Sequence, residues 1–282
     1  RRAGKCRFKE RNMDFSGLFE MQGMLFTIMI LGYIFRKVGM ISDSGKALLT
    51  DLVLYVTLPA SILKSFQIEF SHQILVSCLS VIAVTVGIQI GAWLLGMILY
   101  PGFPDERKKV LQYATICSNA GILGNPIAEG IFGSMGLLYA SIYTIPQRTF
   151  MWSIGMTYFT QAPDAKTLIR KVSTHPCILS VFAGLLIMVL QIPLPGFISL
   201  TIKNIAGGNT FLAMALVGTI LAEVPLRTIP ERDTIYYSFI RLFFIPFLVW
   251  LACHFAQVDN LVTGVSVVLS GMPAASVPAV LA

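Results

Sequence analysis

Apolar runs of roughly twenty residues recur along the whole chain, and each is long enough to cross a hydrocarbon layer about 30 Å thick. Nine such stretches stand out, near residues 15–35, 47–66, 73–99, 110–133, 137–160, 176–192, 197–223, 235–257 and 260–282. Loops of a few residues join most of them, so the chain reads as one compact bundle of transmembrane helices. Only 12% of the 282 residues are charged, against about 25% in soluble domains. A water-soluble particle of this size could not be clothed with so little polar surface. The expectation is an all-α integral membrane protein.

The net charge of +7 does not point to nucleic acid. Arg1, Arg2, Lys5, Arg7, Lys9 and Arg11, less Glu10, supply +5 of it before Met13, and residues 1–12 read as a basic leader that need not be native. The other cations lie in short clusters whose side alternates. Arg36, Lys37, Lys46, Arg107, Lys108, Lys109, Lys166, Arg170, Lys171, Arg227 and Arg232 fall on one set of loops, and only Lys203 on the other. The positive-inside rule makes the first set cytoplasmic, with the start of the first helix outside, in a cell (inner) membrane.

Nothing suggests an enzyme or a cofactor. The five cysteines form no Cys-x-x-Cys pair, the three histidines are scattered, and no His-Glu-x-x-His or Gly-x-Ser-x-Gly stretch occurs. No catalytic or metal-ligating residue is expected.

An internal repeat is the stronger signal. Ser118-Asn119-Ala120-Gly121-Ile122-Leu123-Gly124-Asn125-Pro126 in the fourth run matches Ser270-Gly271-Met272-Pro273-Ala274-Ala275-Ser276-Val277-Pro278 in the ninth at an offset of 152. Five spans separate the two copies, an odd number, so they would lie in the membrane with opposite topology. The division expected is a first five-helix repeat at 13–160 and a second, inverted one at 161–282, lacking its tenth helix. Matching broken helices in inverted repeats point to a secondary-transporter site. Proline removes an amide donor, glycine permits unwinding, and the freed backbone groups must face protein or a water-filled cavity. Half-helix N-termini there suit an anion.

Four stretches resemble the auxin efflux carrier family: Gly32-Tyr33-Ile34-Phe35-Arg36-Lys37-Val38-Gly39, Leu58-Pro59-Ala60, the Ser118–Pro126 segment, and Met272-Pro273-Ala274-Ala275. The likeness covers about residues 15–282, and its bacterial malate or malonate permeases are the nearest in kind. It implies ten helices in two inverted repeats, with helices four and nine crossing at their breaks, a plan shared with sodium–proton antiporters and bile-acid symporters. It further implies a scaffold of helices 1, 2, 6 and 7, and a transport domain of 3–5 and 8–10 that moves like an elevator. By the same resemblance Asn119 meets a substrate carboxylate, Gln147 lies close by, and Ser61 faces the same cavity.

Arg148 lies about 17 Å from either end of its span, too deep to reach water easily. It would contact the substrate anion, pair with Glu129, or face an aqueous opening. Asn119 is expected at the ligand and Asn125 as a cap on freed backbone; Ser118 and Ser270 either face the site or bond back to their own helices. Gly121, Gly124, Asn125, Pro126, Pro273 and Pro278 form the breaks, and Asn209 faces the cavity or marks a kink. Glu129 is the candidate ion relay. Glu20, Asp51, Lys64, Glu223 and Arg241 sit nearer span ends, where snorkelling accounts for them, and Gly87 and Gly91 fit small-residue helix packing. The expected partners are a small organic anion, a coupling H+ or Na+, the bilayer and a second copy in a homodimer. The competing readings are an ion-coupled antiporter or symporter of the same plan, which should show more deep carboxylates than Glu129, and a non-transporting sensor derived from it.

Overall fold

The computed structural model describes residues 15–159, 164–224 and 232–274. Within them the backbone is helical apart from loops and one isolated pair of residues in antiparallel bridging. Residues 1–12, and Pro278 with the end of the ninth run, lie outside the described residues.

The spans appear as helices interrupted where the sequence carries breakers. The first is α1 (Phe15–Lys37). The second joins α2 (Asp43–Leu52) to α3 (Leu58–Ser65) through a π-helical turn, Val53–Thr57, just ahead of Pro59. Proline lacks the amide donor an α-helix would use, and a π turn absorbs the mismatch. The third is the unbroken α4 (His72–Leu99), opened by Ser71, whose side chain accepts from Ile74 N.

The fourth runs as α5 (Asp105–Ile116), a non-helical segment, a π turn at Ala120–Gly124, and the first part of α6 (Asn125–Phe150). Gly133, at φ +67°, separates that part from the fifth span, a conformation that glycine alone adopts without strain. A short helix, α7 (Ala165–Ser173), lies between the fifth and sixth apolar runs.

The sixth span is α8 (Pro176–Leu190), and the seventh is α9 (Gly196–Gly207) with α10 (Asn209–Leu221). The eighth joins α11 (Arg232–Phe239) to α12 (Ile245–Phe255) through a π turn, Ile240–Phe244, ahead of Pro246. The ninth begins as α13 (Asn260–Ser270). Among the described residues four of these continuous helical stretches are long and apolar enough to cross a membrane: Asp43–Ser65, His72–Leu99, Gly196–Leu221 and Arg232–Phe255. Large apolar side chains such as Phe19, Phe197, Phe243 and Phe255 project outward, as a lipid-facing surface requires.

Two close helix approaches shape the bundle. α1 packs on α10, where a Cβ on Gly32 would lie 2.1 Å from the Ala215 carbonyl oxygen and one on Gly218 would lie 1.9 Å from that of Met29. α3 packs on α8, where a Cβ on Gly184 would lie 2.5 Å from the Phe66 ring. Glycine lets backbone meet backbone at Gly32 and Gly218 and admits the Phe66 ring at Gly184. The small-residue packing expected at Gly87 and Gly91 is not found. Both have open space where a side chain would begin, and they line an apolar groove of about 350 Å³ between α4 and α12.

Candidate functional site

The two broken segments meet inside the bundle. After Ile116 the chain leaves the helix through Cys117, extended at φ −99° and ψ 94°, and Asn119 at φ −81° and ψ 52°. Ser118 bridges Ala274 in antiparallel fashion, and Asn119 N donates to Pro273 O at 2.8 Å. Each unwound strand thus satisfies backbone of the other, which is how irregular backbone persists at this depth. The unwinding falls before Gly121 and Gly124, which sit in the π turn, and before Pro126 in the first turn of α6. Asn119 O accepts from Leu123 N and Gly124 N at 3.2 and 3.1 Å, closing that turn.

Side chains from three other helical segments hold this crossing. Gln147 in α6 donates through Nε2 to Ser118 O and, at 3.0 Å, to Ser118 Oγ. Tyr237 of α11 donates to Ala114 O at 3.0 Å. Arg241, in the π turn of the eighth span, donates from Nε to Met272 O at 2.8 Å and from Nη1 to Thr115 O at 2.6 Å. It is 3% exposed. The assignment of Arg241 to a snorkelling span end is therefore wrong: the π turn aims its side chain inward at the carbonyls of the crossing. Its two charge-assisted bonds go to carbonyls at the helix ends that flank the crossing, each bond worth about 1.5–3 kcal/mol. The sequence offered one usable signal, an arginine five residues before Pro246 in an otherwise apolar run.

Arg148 lies beside the crossing and is paired, though not with Glu129. Its Nη1 donates to Nε2 of His175, the residue that opens α8, at 2.8 Å. Its Nε is buried without a partner, and its Nη2 is 3.1 Å from where a Cβ on Gly121 would sit. Glycine at 121 thus admits the guanidinium to the π turn. Glu129 faces Lys64 of α3 at 3.4 Å instead. Lys64 and Glu223, two further residues placed by the sequence near span ends, are both ion-paired. Lys64 takes this partner, while Glu223 binds Arg36 at 2.9 Å and Lys46 at 2.8 Å.

The asparagines behave differently from one another. Asn119 is partly exposed, and its amide caps nothing in the turn that follows. Asn125 is 1% exposed, and both its amide atoms lack a partner. The expected capping role at Asn125 is overturned: the π turn runs directly into α6, and neither amide atom bonds to freed backbone. Two expected residues are engaged elsewhere. Ser61 donates to Ala206 O at 3.3 Å, across to α9, and Ser270 bonds back to Val267 O at 2.8 Å. Asn209 neither faces an opening nor merely marks a kink; it is fully buried and accepts from Thr57 Oγ1 at 3.1 Å. Pro273 lies in the unwound strand itself.

The structure therefore brings Asn119, Gly121, Gln147, Arg148 and Pro273 to one place, with Arg241 added. Comparison with known proteins agrees with a transport role. The sequence matches the family model described as "Membrane transport protein" over residues 23–168 and 163–282, nearly its whole length. The chain belongs to this family. That is the family of the auxin efflux carriers, as the four motifs implied. An uncharacterized transporter of Methanothermobacter thermautotrophicus is 25% identical over 278 residues, covering 96% of this chain and 81% of the relative. An uncharacterized transporter of Methanocaldococcus jannaschii is 23% identical over 265 residues, covering 90% and 85%. The chain is accordingly a multi-pass membrane protein of a transporter family.

Proposed function

We propose that this protein is a secondary carrier of a small organic anion, a carboxylate such as malate, malonate or an auxin-like acid, working by elevator-type alternating access. The observation that carries this reading is the crossing itself. Asn119, whose amide makes no cap bond to the turn that follows, stands at the N-terminal end of the helix that continues through α6, where partial positive charge gathers. The Arg148 guanidinium approaches the same turn through the gap at Gly121. A planar fork beside a helix N-terminus suits a carboxylate. The orphaned amide of Asn125 adds a buried group that can orient a ligand.

The inverted repeat is part of the proposal. Thr57 and Asn209, which bond to each other, are 152 positions apart, the offset found in the sequence. Gly32 and Gly184 are likewise 152 apart, and so are Phe66 and Gly218. The approach of Gly184 to Phe66 thus has its counterpart where α1 meets α10 around Gly32 and Gly218. Such self-paired contacts are what a pseudo-two-fold axis generates. On this reading the halves are 13–160 and 161–282, helices 1, 2, 6 and 7 form the scaffold and a homodimer surface, and the cation-rich loops face the cytoplasm. The Lys64–Glu129 and Arg148–His175 contacts then join scaffold to transport domain.

The test is uptake of labelled malate, malonate and indole-3-acetate into proteoliposomes, comparing the parent with Asn119→Ala and Arg148→Ala. Saturable uptake of one anion, lost in both variants, is the expected result. If no anion is taken up and none raises the thermal stability of the folded protein, the organic-anion reading fails.

A further inference from the structure

Arg241 raises a question that anion binding does not answer. Helix C-terminal ends carry partial negative charge, about half an elementary charge each. Two of them converge here: the last turn of α5, through Thr115 O, and the residues just past α13, through Met272 O. Secondary transporters with broken helices use such C-terminal ends and unwound carbonyls to coordinate a coupling Na+. In this chain the carbonyls are already occupied, because the guanidinium bonds to both at 2.6 and 2.8 Å. Its unit positive charge offsets the two half-charges almost fully.

Its surroundings support that role. Among the described residues none of the ion pairs involves Arg241, so no carboxylate competes for its charge. The flanking positions are fixed by hydroxyls: Tyr237 on Ala114 O, and Tyr100 lying 2.8 Å from Thr115 Oγ1, which donates in turn to Leu111 O. The position 152 residues earlier, in the other half of the proposed repeat, is Gln89. It too is buried, on α4, but it is neutral and its Oε1 lacks a partner. The cation is thus present in one half only.

We infer that Arg241 is a tethered cation that takes the place of a coupling metal ion at the crossing, holding the two half-helix C-termini together and making the carrier independent of Na+. This rests on the crossing being the transport site, but it concerns the opposite, carbonyl-lined side from the one proposed for the anion. Arg241 is a positioning residue and need not touch the substrate.

The experiment measures thermal unfolding of the purified full chain in NaCl, KCl and choline chloride at equal ionic strength, with and without millimolar methylguanidinium. The variants are Arg241→Ala and Arg241→Lys. The parent should unfold at the same temperature in all three salts. Arg241→Ala should unfold roughly 10 °C lower and be selectively rescued by methylguanidinium or by a small metal cation over choline, since the carbonyl cage it leaves is a cation site. Arg241→Lys should fall between, because an ammonium lacks the planar fork that reaches two carbonyls. Saturable stabilisation of the parent by Na+ over choline overturns the inference without needing any variant to fold. So does an alanine variant as stable as the parent, or one that no cation rescues. None of these readings requires a transported substrate, so they separate failure here from failure of the organic-anion reading.

Discussion

Replacing Gly32 by alanine offers a sharp test of how the bundle is held. The added Cβ would lie 2.1 Å from the Ala215 carbonyl oxygen, 2.7 Å from its Cα and 2.8 Å from its carbonyl carbon. All three are backbone atoms, so no rotamer change relieves the clash, and ordinary contact requires α1 and α10 to separate by roughly 1.3 Å. Separation on that scale also opens the facing contact, where Gly218 lies against Met29 and Tyr33 backbone. Overpacking costs about 1–3 kcal/mol, and the rigid partner puts this site at the upper end. At about 2–4 °C per kcal/mol the unfolding temperature should fall by roughly 5–10 °C. The control is in the same helix. Gly23 has open space where a side chain would begin, so Gly23→Ala should be neutral or raise stability through helix propensity by about 0.5–1 kcal/mol. Nanolitre-scale fluorimetry of the detergent-purified protein measures both. Should Gly32→Ala unfold within 1 °C of the parent, or Gly23→Ala prove equally damaging, the backbone contact between α1 and α10 is not as described.

Gln147→Leu leaves Ser118 O without its side-chain donor, which should cost about 1–3 kcal/mol of stability and disturb the pairing of the unwound strands; chemical denaturation of Gln147→Leu beside Gln147→Asn reports it. The Lys64–Glu129 pair is partly exposed at both ends, so either single neutralisation should cost less than about 1 kcal/mol. The charge-swapped double variant, Lys64→Glu with Glu129→Lys, should recover uptake lost in the single reversals, and failure to do so would show that Glu129 acts as more than a partner for Lys64. His175→Ala removes the neighbour of Arg148 Nη1 and should tighten anion binding, measured calorimetrically, because the guanidinium no longer has to give up that bond.

Much of the architecture was legible in one dimension because membrane insertion is governed by local chemistry. A run such as 73–99 must be a helix in lipid, since no other open backbone satisfies its own donors and acceptors there. Breakers were legible for the same reason: the Ser118–Pro126 and Met272–Ala274 stretches supply the unwound strands, whereas the positive φ of Gly133 is seen only in the structure. The alternation of loop charge and the offset of 152 likewise needed nothing beyond residue order.

What the sequence left open was which polar side chain meets which. Span position leads one to expect Arg148 and Glu129 to be deep, but their partners depend on how α3, α6 and α8 are arranged around one another, and His175 and Lys64 lie far off in the chain. Arg241 shows the difference most plainly. Counted along the chain it stands a few residues from a span end, and a long basic side chain can usually reach water from there. Only the tertiary structure brings two helix C-termini, 157 residues apart at Thr115 and Met272, to its guanidinium. Hydropathy and breakers are properties of single segments and survive in a linear reading; the satisfaction of a buried charge is a property of several segments at once, and it is decided when they pack.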